Sequence, residues 1–169
     1  VRKLRVSGAE PTIGKSHLLK LLELVEGSSF ELFILETNGI LFGVDEDYVS
    51  KVAKFSKVHV RVSLKAGTPE AFAKKTGAMP ESFSLPFKAL ERLIRHGASF
   101  HVAAMIADPR IVSVEERASL LKRLKELDPR LPQNLEEEVV DPYPTAISRL
   151  KYAGYELEWP LKGIYAPFC

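Results

Sequence analysis

The 169-residue chain carries 24 basic and 22 acidic residues, a formal charge of +2, and 46% hydrophobic content, enough for one domain (1–169) with a proper core. Near-neutral charge removes the electrostatic case for nucleic acid or anionic lipid, and no apolar run approaches the ~20 residues that a membrane-spanning helix needs. No signal peptide opens the chain, and its one cysteine, Cys169, excludes an intrachain disulfide and points to a reducing compartment, the cytoplasm.

The first strand is short and ends at Val6. Gly8 lets the backbone turn, Pro11 stiffens the exit, and Ser16 is expected to cap a helix whose stripe is Leu18, Leu19, Leu21, Leu22 and Val25, stopped by Gly27. Strand, glycine turn and helix together present backbone N–H groups and one acidic side chain, Glu10, to a small ligand. Ala9 to Ser16 meets the loose form of a phosphate-binding loop, which would set Lys15 and Ser16 at the phosphates of a nucleotide. Glu10 brings negative charge to such a loop and Pro11 deletes a donor. Gly8 to Gly14 is also one residue too long for the strict spacing.

Phe30 to Leu35 is a continuous apolar run, the pattern of a strand buried on both faces, and Thr37-Asn38-Gly39 is a turn. Asp45 caps a helix with Tyr48, Val49, Val52 and Phe55 inward; the acids Asp45, Glu46 and Asp47 fit a helix first turn better than a cation site. From Val58 to Lys65 the chain alternates, with Val58, Val60, Val62 and Leu64 on one face and His59, Arg61, Ser63 and Lys65 on the other. An edge strand with a wet face has that pattern. So does a parallel strand with helices on one side and a polar interior on the other, and then Ser63 and Lys65 stand at the C-terminal end, where barrels place their sites.

Thr68 and Pro69 open a short helix that Gly77 closes, and Ser84 or Leu85 begins another with Phe87, Leu90, Leu93 and Ile94 inward. Ser99 to Ala107 is the fourth strand, Ser113 to Glu116 a capping box, and Leu120, Leu121, Leu124 and Leu127 the stripe of the next helix. Glu136 to Val140 is the fifth strand, with its three glutamates on a solvated face; Thr145 to Ala153 is a helix and 155–169 an aromatic tail. The four histidines show no metal spacing and read as surface or packed side chains. Five strands, each followed by helix, make an α/β fold with a curved parallel sheet.

Ser7-Gly8-Ala9-Glu10-Pro11-Thr12 resembles the Gly-Gly-Glu-Pro motif of radical S-adenosylmethionine enzymes, with Ala for the second Gly. In the order that family requires, Leu35-Glu36-Thr37-Asn38-Gly39 resembles the end of its third strand. Val60 to Lys65, with Gly67-Thr68-Pro69-Glu70 and Lys75-Thr76-Gly77, resembles its fourth strand and helix, especially in activases of glycyl-radical enzymes. The likeness is strongest from Leu4 to Gly77.

The resemblance implies a partial, TIM-like (β/α) barrel of which this chain supplies strands two to six of six. It implies an iron–sulfur oxidoreductase that cleaves S-adenosylmethionine reductively to a 5′-deoxyadenosyl radical, with a protein substrate if the activase likeness holds. Gly8, Ala9, Glu10 and Pro11 would receive the methionyl amino group, Ser63 and Lys65 the carboxylate, Asn38 the ribose, and Val102 to Ile106 with Met105 the adenine. The [4Fe–4S] cluster of that family is held by Cys-x3-Cys-x2-Cys. This sequence has one cysteine, so the resemblance implies a piece of a longer protein, inactive by itself, with its cluster ligands elsewhere. Ala9 adds a methyl at a glycine position, and Ser63 stands where the activases carry a carboxylate. A nucleotide-binding protein using Lys15 and Ser16, or a non-catalytic barrel that serves as a binding module, are the alternatives.

Overall fold

A computed structural model describes residues 2–166. Strands β1 (Lys3–Val6), β2 (Leu32–Thr37), β3 (Val58–Leu64), β4 (Phe100–Ala104) and β5 (Glu136–Glu137) form one sheet in sequence order. Every neighbouring pair is parallel. Between them run helices α1 (Lys15–Glu26), α2 (Ile40–Val44), α3 (Glu46–Val52), α4 (Pro69–Thr76), α5 (Ser84–Arg95) and α6 (Val114–Leu127), and α7 (Pro144–Tyr152) follows β5. Consecutive parallel strands joined by crossovers of one hand put the intervening helices on the same face. The sheet therefore has a helix-covered side and an inner side.

The core lies on the covered side. Phe33, Leu35, Val58, Val60, Val62, Leu64 and Val102 from the strands are buried against Leu22 of α1, Phe42 of α2, Val49 of α3, Leu90 and Leu93 of α5, and Leu120 and Leu124 of α6. Alternation along β3 follows the expected pattern, with one exception. Arg61, on the inner side, is also buried, because that side is covered by its own ionic network. β2 differs from the expectation of a strand buried on both faces: Phe33, Leu35 and Thr37 are buried while Leu32, Ile34 and Glu36 are half-buried on the inner side.

Local signals hold where a side chain can act alone. Asp45 Oδ1 accepts from Tyr48 N at 3.0 Å, and Thr68 Oγ1 accepts from Ala71 N at 3.2 Å. Gly77 closes α4 at φ 73°, where a Cβ would be strained. Ser16 is not the cap of α1. A 3-10 turn, Pro11–Ile13, runs directly into the helix, Gly14 occupies the N-cap without a side-chain bond, and Ser16 is exposed in the first turn.

Ile94 is 36% exposed; Pro86 and Ala89 complete the buried face of α5 instead. β4 ends at Ala104, because Ile106 N turns back to donate to Ala104 O. β5 is two residues long. Ser113 caps α6, but the box does not close: the Glu116 carboxylate accepts from Gly67 N at 3.0 Å and Lys75 Nζ at 2.6 Å, tying α6 to the loop after β3. Cys169, like the rest of 167–169, lies outside the described residues. Among the described residues no helix is long and apolar enough to cross a membrane.

Candidate functional site

The turn after β1 holds two left-handed residues in succession, Gly8 at φ 89° and Ala9 at φ 48°. For an alanine that conformation costs about 1–2 kcal/mol, which the surrounding bonds must offset. Glu10 supplies them. Its Oε1 accepts from Thr12 N at 3.1 Å, Thr12 Oγ1 at 2.5 Å and Thr37 Oγ1 at 2.8 Å, and its Oε2 from Asn38 N at 2.7 Å. The carboxylate thus lashes the end of β1 to the end of β2. Gly8, Glu10 and Pro11 shape the turn, and Ala9 is the member of it that lines a cavity.

That cavity, about 360 Å³, opens at the C-terminal end of the sheet. Ala9, Asn38 and Lys65 line it from three separate strand-to-helix loops, Ser63 lines it from the end of β3, and Ile40, Phe72, Pro86 and Phe87 give it an apolar wall. The Asn38 side-chain oxygen accepts from Ile40 N at 2.9 Å, and Ser63 Oγ accepts from Arg61 Nη1 at 3.0 Å. Lys65 is half-buried and makes no hydrogen bond or ion pair among the described residues. A second cavity of about 400 Å³ adjoins the first across Lys65 and Thr76 and receives Met105. Met105 is therefore beside the first cavity and not in it, while Val102, Ala104 and Ile106, expected as an adenine surface, are core residues.

Beneath the cavities the inner side of the sheet carries a polar network that sequence reasoning only half foresaw. Register places Arg61 between Glu36 of β2 and His101 of β4. Arg61 donates to both oxygens of Glu136, Nε to Oε2 at 2.9 Å and Nη2 to Oε1 at 2.8 Å, and to Glu138 Oε1 at 2.6 Å. Arg5 pairs with Glu36 at the outer end. Glu138 Oε2 is buried with no hydrogen-bond partner among the described residues. Glu136 and Glu138, expected on a solvated face, instead neutralise Arg61, and Glu137 meets Arg117 on the other side.

The histidines extend this network. His59 and His101 stack with ring centroids 5.0 Å apart, and His59 Nε2 lies 2.7 Å from His101 Nδ1. Ser99 Oγ is 2.8 Å from His59 Nδ1, and Glu136 Oε2 is 3.0 Å from His101 Nε2. Arg61, then His101, hold Glu136 down to about 2, so it is ionised and only accepts. His101 Nε2 must then donate, its Nδ1 accepts from His59 Nε2, and His59 Nδ1 accepts from the Ser99 hydroxyl. Burial, and then the neighbouring His101, depress the pKa of His59. The alternation of β3 flagged His59 and Arg61; their partners came from β4 and β5, which no local pattern connects to them.

The phosphate-loop alternative meets an unsuitable arrangement. Lys15 Nζ is held by Asp45 at 2.6 Å and Asp47 at 3.3 Å, so an incoming phosphate would face two carboxylates.

No family model matches the sequence, and no curated protein matches it. Among solved structures, native anSMEcpe with bound AdoMet and Kp18Cys peptide is similar over 83% of this chain and 38% of its own, at 21% identity and a TM-score of 0.62. A hexahistidine-tagged anSMEcpe with bound AdoMet is similar over 83% and 36%, at 22% identity and 0.61. A domain of pyruvate-formate lyase-activating enzyme from Bacteroides vulgatus ATCC 8482 is similar over 90% of this chain and 94% of that domain, at 14% identity and 0.59. This chain spans well under half the length of the anSMEcpe structures and nearly all of the activating-enzyme domain. Its all-parallel sheet, with helices on one side and a cavity at the strand ends, has the partial-barrel fold of radical S-adenosylmethionine domains.

Proposed function

We propose that this chain is the S-adenosylmethionine-binding core of a radical-type oxidoreductase, of the kind that activates a glycyl-radical enzyme and takes a protein substrate. One observation carries the reading: Ala9, Asn38, Ser63 and Lys65, from the ends of three strands and the loops that follow them, line one cavity, and Lys65 brings a cation with no counter-ion among the described residues. The solved structures add support, since the anSMEcpe chains that share the fold have AdoMet bound.

The residues present fit the cofactor. Lys65 and the Ser63 hydroxyl suit its carboxylate, a charge-assisted pairing, and the wall of Ile40, Phe72 and Phe87 excludes water from an apolar portion. Glu10, with four protein donors, acts by holding the Gly8–Pro11 turn in place, and the ammonium group is received by that turn. Asn38 takes the ribose. Met105, in the adjoining cavity, sits at the boundary of the adenine position. When bound, the cofactor would supply the hydrogen-abstracting group.

A [4Fe–4S] cluster does not fit these residues, because it needs three thiolates and the chain has Cys169 alone. No step of the reaction is therefore assigned to this chain.

Calorimetric titration with S-adenosylhomocysteine tests the proposal. The chain should bind it, and Lys65→Ala should weaken binding about tenfold, the loss expected of one charge-assisted contact, with the circular dichroism unchanged. Absence of binding to the unaltered chain would overturn the reading.

A further inference from the structure

The second cavity is one that the cofactor reading touches only at Lys65 and Met105. It is about 400 Å³ and lies between the loop after β3, α4, the loop after β4 and α7. Lys65, Lys74, Lys75 and Arg149 line it, with Met105, Ile111, Val140, Leu150 and Tyr155, and among the described residues no carboxylate does. Many cations elsewhere do have acidic partners, among them Lys15 with Asp45, Arg61 with Glu136, Arg110 with Asp108 and Arg117 with Glu137.

Of the four lining cations only Lys75 is neutralised, by Glu116 at 2.6 Å. Lys65 and Arg149 have no ion pair among the described residues, and Lys74 has the Tyr155 ring, 5.0 Å from its ammonium. That ring also lines the cavity, so the contact holds the Lys74 cation at its rim. Three positive charges around an apolar floor raise the local concentration of anions and repel cations. The volume falls in the range of small-molecule sites, which pair an apolar lining with a few placed polar groups.

We infer that this cavity binds a small organic anion, a carboxylate with an apolar body, beside the first cavity. The anionic head would meet Lys74 and Arg149, with Lys65 shared between the two sites, and the body would lie on Met105, Ile111, Val140 and Leu150. The inference goes beyond the cofactor proposal and meets it at Lys65 and at Met105.

The probe is 4-phenylbutyrate, compared with its neutral amide by calorimetry on the chain at low salt. The acid should bind at least fivefold more tightly than the amide, and added salt should erode the difference. Lys74→Gln and Arg149→Gln, both at exposed side chains, should each weaken the acid at least threefold and leave S-adenosylhomocysteine binding within twofold. Lys65→Gln should weaken both ligands. Equal binding of acid and amide, or indifference of the acid to Lys74→Gln and Arg149→Gln, would overturn the inference. Binding of the acid with these dependences but none of S-adenosylhomocysteine would uphold it and overturn the cofactor reading instead.

Discussion

At the scale of single residues, Glu10 shows how a side chain chosen by chemistry can act through architecture. Its position in a glycine turn suggests a carboxylate offered to a ligand. In the fold its two oxygens accept four protein donors, two of them backbone N–H groups, across the ends of β1 and β2. Glu10→Ala leaves Thr12 N, on a fully buried residue, and Asn38 N without acceptors. The expected cost is about 2–4 kcal/mol, read as a lower urea midpoint at unchanged slope. Glu10→Gln, which keeps one acceptor oxygen, should fall between the two. An unchanged midpoint for the alanine variant would show that the carboxylate is not what holds the turn.

At the scale of elements, α2 and α5 approach each other backbone to backbone. Gly43, inside α2, makes it possible: a Cβ there would stand 2.1 Å from Leu85 O in the first turn of α5, and the obstacle is backbone that cannot rotate away. Gly43→Ala should therefore destabilise the protein by about 1–3 kcal/mol although alanine is the better helix former. Helix propensity alone gives the opposite sign, so the direction of the shift in thermal midpoint decides between them. The two helices carry Phe42 and Leu90 into the core beside Val62, and hence set the backbone that presents Ser63. Separating them should loosen the first cavity as well as the fold.

At the scale of the whole molecule, the inner side of the sheet is held by charge and the outer side by apolar packing. The two respond differently to pH. Glu136 titrates at about 2 in the fold against an ordinary 4.5, so its pairing with Arg61 stabilises the native state above about pH 4.5 and is lost as pH falls from 4.5 toward 2. Because the Glu136 side chain is 48% exposed, solvent screening limits the effect to about 1 kcal/mol. His59 has a depressed pKa as well, because burial and then His101 disfavour its protonated form in the fold. Stability should therefore begin to fall as pH drops below 6.5, where the unfolded chain takes up a proton that the folded chain resists. Urea midpoints from pH 8 to pH 3 should show two declining stretches; Glu136→Gln should flatten the lower and His59→Gln the upper. A flat profile through pH 6 would show that His59 titrates as it does in the unfolded chain.

What the sequence determined by itself is whatever a few neighbouring residues can enforce. Alternation along Val58 to Leu64 marked both faces of β3, Asp45 and Thr68 marked helix starts, and the strand-then-helix rhythm marked a parallel sheet. Four short motifs in order pointed to the radical S-adenosylmethionine fold. What only the tertiary structure decided depends on register between distant strands. Glu136 was legible as an acid, but its bonds to Arg61, 75 positions away, follow from which strands lie side by side. Sharing of Lys65 between two cavities, and the displacement of Met105 from the first, were hidden for the same reason. A local pattern fixes the direction in which a side chain points from its own backbone. What it meets there is set by the long-range packing of other elements, and that information is carried by the whole chain at once.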